Sequence, residues 1–208
     1  LFLEKKVWHL DRSNPHPRAL REAFNILNSA QKPLIVAGGG VHYSQACEIL
    51  RSFAETFGIP VSETQAGKSA MSWKDPMSVG AVGVTGTSAA NLLANEADVV
   101  LIIGSRLQDF TTSSKKLFAS DAKLLNLNVS KFDGLKMNSF MLQADAKFGL
   151  ELLKDELAKA GFQTSTDYRD RVAKLQSEWN TEVDRLYSLK SEEGNVQTAI
   201  LGTLNEFM

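Results

Sequence analysis

Residues 63–73 read ETQAGKSAMSW, and Gln65 and Lys68 stand on either side of Gly67 just after an apolar, strand-like run. An amide and an ammonium three residues apart offer donors suited to hydroxyls or a carboxylate. Gly67 lets the backbone turn between them. In an open α/β sheet, functional side chains collect on the loops after the strands' C-terminal ends. A capped turn carrying a surface lysine satisfies the same residues, and the sequence leaves both readings open. A second concentration is KPLIVAGGGV, residues 32–41, where a short apolar strand empties into Gly38, Gly39 and Gly40. Glycines in that place bring backbone against either a ligand or a neighbouring element. The strict GxGxxG spacing is absent, because positions 38, 40 and 43 are Gly, Gly and Tyr. A tight strand-to-helix turn without a ligand fits the pattern as well.

Other reactive residue types are scattered. Cys47, the single cysteine, lies in the periodic run HYSQACEILRSFAETF and is expected to pack in a core, where no intramolecular disulfide is open to it. His9, His16 and His42 show no metal-ligand spacing, so no metal site is expected. His42 reads as a helix-start residue rather than an acid or base, and Arg106 has Asp109 nearby as a salt-bridge partner. Lys plus Arg number 23 against 24 Asp plus Glu, a net charge of −1, which gives no field to hold nucleic acid or an anionic membrane. The sequence has no run of about 18 apolar residues, and LFLEKKVWHL lacks the apolar core of a secretory signal. A cytoplasmic location is the resulting expectation.

The elements that position these residues follow a strand–helix alternation. Apolar spacing predicts a helix over 17–30, a strand at 34–37, a helix from about 44 to 57 closed by Gly58, and a strand at 59–64. A helix over 86–97 leads into DVVLIIGS, residues 98–105, whose unbroken apolar character is that of a parallel strand covered on both faces. A short helical piece is expected around Leu117, then a strand at 123–130, a break at 132–134, a strand at 140–143 and a helix over 149–161. About six short strands with helices between them predict an α/β fold, a doubly wound open parallel sheet. Residues 163–190 read as one long polar helix, and 195–208 as the start of a new amphipathic one. The opening residues, with Trp8, His9, Pro15 and Pro17, look like a linker, so the chain is expected to be a piece of a larger polypeptide.

KPLIVAGGGVHYSQA, ETQAGKSAMSW, VGVTGTSAANLLANEADVVLIIGSRLQDFTT at 82–112 and LLNLNV at 124–129 together resemble the thiamine-diphosphate-dependent enzymes of the pyruvate oxidase and acetohydroxyacid synthase type. The resemblance covers essentially the whole chain. ETQAGK, GVTGTSAAN and GSRLQDFTT favour the branch that hydrolyses a polyol-derived cyclic 1,2-dione in myo-inositol catabolism. It implies a Rossmann-like central domain at 19–161, with residues 1–18 a linker from a pyrimidine-binding domain, 162–194 a helical linker, and 195–208 the first helix of a pyrophosphate-binding domain. Thiamine diphosphate and Mg2+ would then be bound by domains outside this chain, with none expected here and no catalytic residue assigned. Gln65 and Lys68 would lie near the substrate entrance, facing the hydroxyls or developing carboxylate of the dione.

In flavin-holding relatives the central domain binds a dinucleotide, and the matching positions here are Gly38, Gly39, Thr85, Gly86, Gly104 and Arg106. Asn126 and Asn128 stand where synthase-like relatives carry acidic residues, which implies a vestigial dinucleotide cleft. The family implies a homodimer or homotetramer, with no nucleic acid or membrane partner. Two other readings remain: an acetolactate synthase or related decarboxylase with bound flavin, and a non-enzymatic nucleotide-binding module. Trp8, Trp73 and Trp179 are expected to offer apolar surface to other domains.

Overall fold

The computed structural model describes residues 11–192, 194 and 196–207; Trp8 and His9 lie outside them. Helix α1 (Pro17–Asn28) starts where Pro17 presets the first turn and the His16 ring nitrogen accepts from the Arg18 amide at 3.2 Å. Strand β1 (Pro33–Ala37) is buried along its whole length. The predicted helix over 44–57 begins later, at α3 (Cys47–Phe57), because Gln45 takes a left-handed φ of 52°, and a further short helix, α2 (Gly40–Tyr43), precedes that range. Strands β2 (Val61–Glu63) and β3 (Ser78–Ala81) follow, then α4 (Ser88–Glu96) and β4 (Val99–Ile103). The helical piece expected near Leu117 lies earlier, at α5 (Asp109–Thr112), and Leu117 is a buried residue in the turn beyond it.

Strand β5 (Lys123–Asn128) ends at a short helix α6 (Lys131–Gly134), where a chain break was expected; Ser130 caps it by accepting from the Asp133 amide. Strand β6 (Phe140–Gln143) leads to α7 (Ala146–Lys159), which begins three residues before the predicted start because the Asp145 carboxylate caps the amides of Lys147 and Phe148. Two helices close the chain, α8 (Thr166–Tyr187) and α9 (Gln197–Phe207).

The strands form one parallel sheet in the order β3-β2-β1-β4-β5-β6. Successive side chains of a strand point to opposite faces, and both faces here are covered. Ile35, Ala37, Leu101 and Ile103 join one core under α1, α3 and α7, while Leu34, Val36, Val100 and Ile102 join another under α4 and α8. Double coverage is why VVLII shows no alternation. The architecture is the doubly wound open sheet that the sequence predicted.

Helix α8 belongs to that second core through Tyr168, Val172 and Leu175. The buried Tyr168 hydroxyl donates to the Pro33 carbonyl at 2.9 Å, and Gln176 donates to the carbonyl of Ser78 at 2.6 Å. At the other end of the chain, Arg12 donates to the Ser44 carbonyl at 2.6 Å and to the Asp145 carboxylate at 2.9 Å. Trp179 is half-buried against the second core, whereas Trp73 is 60% exposed with the Lys74 ammonium 5.0 Å from its ring centroid. No helix among the described residues is long and apolar enough to cross a membrane.

Arg171 grips Glu96 with two hydrogen bonds, of 2.6 and 3.2 Å, joining α8 to α4. Those bonds hold the Glu96 carboxyl below its ordinary range, against the opposing effect of burial. A depressed folded-state pKa adds stability above the unfolded carboxylate pKa, and that stability is lost as pH falls through the folded value. An Arg171→Gln chain should therefore be less stable than wild type near neutrality, with the gap closing as the medium is acidified through the carboxylate range. Urea midpoints measured across that range check this, and a gap independent of pH would remove the pair as its cause.

Candidate functional site

Connections from β1 and β4 leave in opposite directions along the sheet, so the switch point of this topology lies between these neighbouring strands. Open sheets of this kind bind ligands in the crevice outside that point. Here the crevice is zipped. The Gly38 amide donates to the Ile103 carbonyl at 2.8 Å, and the Gly40 amide donates to the Gly104 carbonyl at 3.0 Å. A Cβ on Gly38 would sit 2.5 Å from the Gly104 oxygen, and one on Gly104, whose φ is +60°, would strike the backbone of Gly40. The glycines are thus explained by strand-end loops in direct backbone contact, and two amides that could cradle a phosphate are already satisfied.

The loop after β2 packs onto the same spot. Thr64 accepts from the Gly67 amide at 3.2 Å to shape the single turn Gln65–Gly67, and Gly67 lies directly on the Ala37 carbonyl, where no Cβ would fit. Gln65 and Lys68 are both exposed on this turn. Beneath them lies Glu63, only 2% exposed, whose carboxylate accepts from the Met71 amide at 2.9 Å and faces the Lys68 ammonium at 3.7 Å. The His42 Nε2 sits 3.0 Å from the Lys68 carbonyl and donates to it in the Nε2–H tautomer. Glu63 is therefore the residue that sequence reasoning missed. Its one signal was an acid placed at the C-terminal end of a strand whose other residues are buried.

Thr85 and Gly86 occupy the loop after β3, which the Val84 amide joins to α5 through the Phe110 carbonyl at 3.0 Å. Thr85 is exposed, and Thr87 caps α4 by accepting from the Ala90 amide at 3.0 Å. Arg106 is exposed and forms no ion pair with Asp109 among the described residues. Its charge bears instead on Asp133, whose carboxyl is held below the ordinary range chiefly by the 2.7 Å hydrogen bond from Lys136. Asn128 donates to the Ser105 carbonyl at 3.0 Å, while the fully buried Asn126 leaves its Oδ1 without a partner.

All of the sequence-derived candidates therefore gather at one edge of the sheet, the C-terminal one. Cys47 packs at the margin of the first core, 3.7 Å from His42 Nδ1, and burial pushes its thiol above the ordinary range. A thiol raised in this way stays protonated and is a poor nucleophile. Among the described residues no three His, Cys, Asp or Glu side chains come together as a metal-binding group.

Comparison with known proteins agrees with this architecture. The chain is 41% identical over 202 residues to the 3D-(3,5/4)-trihydroxycyclohexane-1,2-dione hydrolase of Clostridium tetani, covering 97% of this chain and 31% of that protein. It is 43% identical over 190 residues to the protein of the same name from Bacillus cereus, and 41% over 205 residues to that of Geobacillus thermodenitrificans, covering 91% and 99% of this chain and 29% and 31% of those proteins. The chain thus spans about a third of the length of these curated relatives. Residues 20–153 match the family described as thiamine pyrophosphate enzyme, central domain. With that match over most of the doubly wound sheet, the chain belongs to the thiamine pyrophosphate enzymes and carries their central domain.

Proposed function

We propose that this chain is the central part of a thiamine-diphosphate- and Mg2+-dependent enzyme that hydrolyses a carbon–carbon bond of 3D-(3,5/4)-trihydroxycyclohexane-1,2-dione, yielding 5-deoxy-glucuronate in cytoplasmic myo-inositol catabolism. The observation that carries this reading is the 41% identity across 97% of the chain to a protein of that name. The described residues do not fit the metal-bound diphosphate of the cofactor, because they present no cluster of metal-ligating side chains and the Gly38 and Gly40 amides are satisfied internally. No chemical step is therefore assigned to this chain. Its share is architectural: residues 1–18 and 162–194 connect it to pyrimidine- and pyrophosphate-binding domains, the latter opening at 195–208, in a homodimer or homotetramer.

Within that reading the dinucleotide positions Gly38, Gly39, Thr85, Gly86, Gly104 and Arg106 form a vestigial cleft, in keeping with the zipped switch point. Gln65 and Lys68 face the polyol-derived substrate from an exposed turn, with the buried Glu63 carboxylate placing the ammonium. The test uses the full-length protein, assayed on the dione with and without thiamine diphosphate and Mg2+. Ring opening that needs both is expected, and activity on pyruvate instead, or a yellow flavin-bearing protein, would overturn the assignment. Lys68→Ala should lower kcat/KM by about tenfold or more, the scale of a hydrogen bond to a charged group; unchanged kinetics would remove the turn from the site.

A further inference from the structure

At the sheet edge opposite the switch point, a cavity of about 450 Å³ opens where β5 and β6 begin. Pockets for small ligands are typically about 300–1,000 Å³, with apolar walls and a few convergent polar groups. This one lies within that size range, and its open surface is more polar than apolar, with apolar side chains forming part of the wall. Phe118, Leu124 and Phe140 line its wall, with Ile26 of α1 behind, and Lys115, Lys123 and Asn138 supply polar groups. Among the described residues no acidic side chain lines it, and neither lysine has a carboxylate within salt-bridge reach. Two cations beside a hollow walled in part by apolar side chains, with no anion supplied by the described residues, leave a charge pattern that an amphipathic anion completes.

Both lips of the hollow are held in fixed, uncommon backbone conformations. Ser113, Ser114 and Lys115 have φ of 48°, 56° and 66° in succession, and Met137 and Asn138 have 55° and 56°. Left-handed conformations at non-glycine residues are uncommon and persist where surrounding structure dictates them. Here Thr112 accepts from the Lys115 amide at 3.1 Å and Asp109 accepts from the Ser114 amide at 2.8 Å, so the first lip is tied down at the α5 end.

We propose that this hollow is a binding site for a small carboxylate with an apolar tail, its head group met by Lys115 and Lys123 and its tail lodged against Phe118, Leu124 and Phe140. The site lies at the far edge of the sheet from the Gln65–Lys68 turn and does not depend on the catalytic reading.

Octanoate and 1-octanol serve as probes in calorimetric titrations of the full chain. Octanoate should bind saturably and at least ~10-fold more tightly than 1-octanol, a difference of about 1.4 kcal/mol, and added salt should weaken it. The Lys115→Gln, Lys123→Gln double variant should lose that advantage, while the Lys115→Arg, Lys123→Arg double variant should keep it. Both lysines are exposed, so neither variant disturbs the core. Equal affinity for acid and alcohol, no saturable octanoate binding, or an octanoate affinity unchanged by the glutamine pair would each overturn the proposal.

Discussion

Replacing Gly104 with alanine is expected to destabilise the protein by about 3 kcal/mol, near the upper end for a one-methyl change. Two effects add. The left-handed φ of +60° disfavours any L side chain by about 1–2 kcal/mol, and the new methyl would meet the Gly40 backbone, an overpacking that costs about 1–3 kcal/mol. Gly161→Ala is the matched control, since its φ is +67° and nothing lies within 4 Å of its Cβ position. For a chain of this size the Gly104 change corresponds to a fall of about 6–12 °C in thermal midpoint. Urea unfolding of both variants separates the two effects: a larger loss at Gly104 measures the zipped contact, whereas equal losses would mean that the loops shift apart freely.

Truncating Phe57 to alanine should cost about 3–5 kcal/mol, the usual range for a fully buried phenylalanine. Phe57 is 1% exposed, its ring lies edge-on to Phe53 at 4.9 Å between centroids, and Phe162 packs on it at 5.9 Å. The backbone carbonyl of the same residue accepts from the Thr164 amide at 3.0 Å. Loss of the ring therefore loosens the approach to α8 as well as the core under α3. Circular dichroism during urea denaturation, read alongside tryptophan fluorescence in a Trp8→Phe, Trp73→Phe background that leaves Trp179 as the sole reporter, checks this. A loss below about 1 kcal/mol would show that the neighbouring rings refill the space.

How much of this could be read from the residues alone differs along the chain. β1 and β4 were legible because double coverage leaves unbroken apolar runs, and β6 because apolar Phe140, Met141 and Leu142 follow a break. β3 carried no such signal: Ser78–Ala81 contains one large apolar residue, Val79, and a glycine at φ +84°. It is a short edge strand, where little side-chain area is buried. The break at Gln45 was equally silent, since a left-handed glutamine is set by tertiary packing and not by propensity. At the candidate site, Gly38 to Gly40 announced a close approach but not its partner. Whether glycines face a ligand or another strand's glycine depends on Gly104, some 65 positions away, and only the sheet order brings the two together. Glu63 escaped notice because its burial depends on the fold of the loop at 64–71, which supplies the amide and ammonium that accommodate it.

Helix α8 is the longest element among the described residues. Its 22 residues run about 33 Å at the usual 1.5 Å rise; Tyr168, Val172 and Leu175 anchor its first half and Trp179 packs against the same core, while the stretch beyond Trp179 carries α9 fastened at the tip, where Thr198 donates to the Leu186 carbonyl at 2.8 Å. It works as a stiff spoke whose outer end inherits its heading from the anchored hub. One residue inserted in the outer half would swing α9 by about 100° around the axis, whereas an insertion of seven, close to two full turns, would restore its bearing and only lengthen the reach.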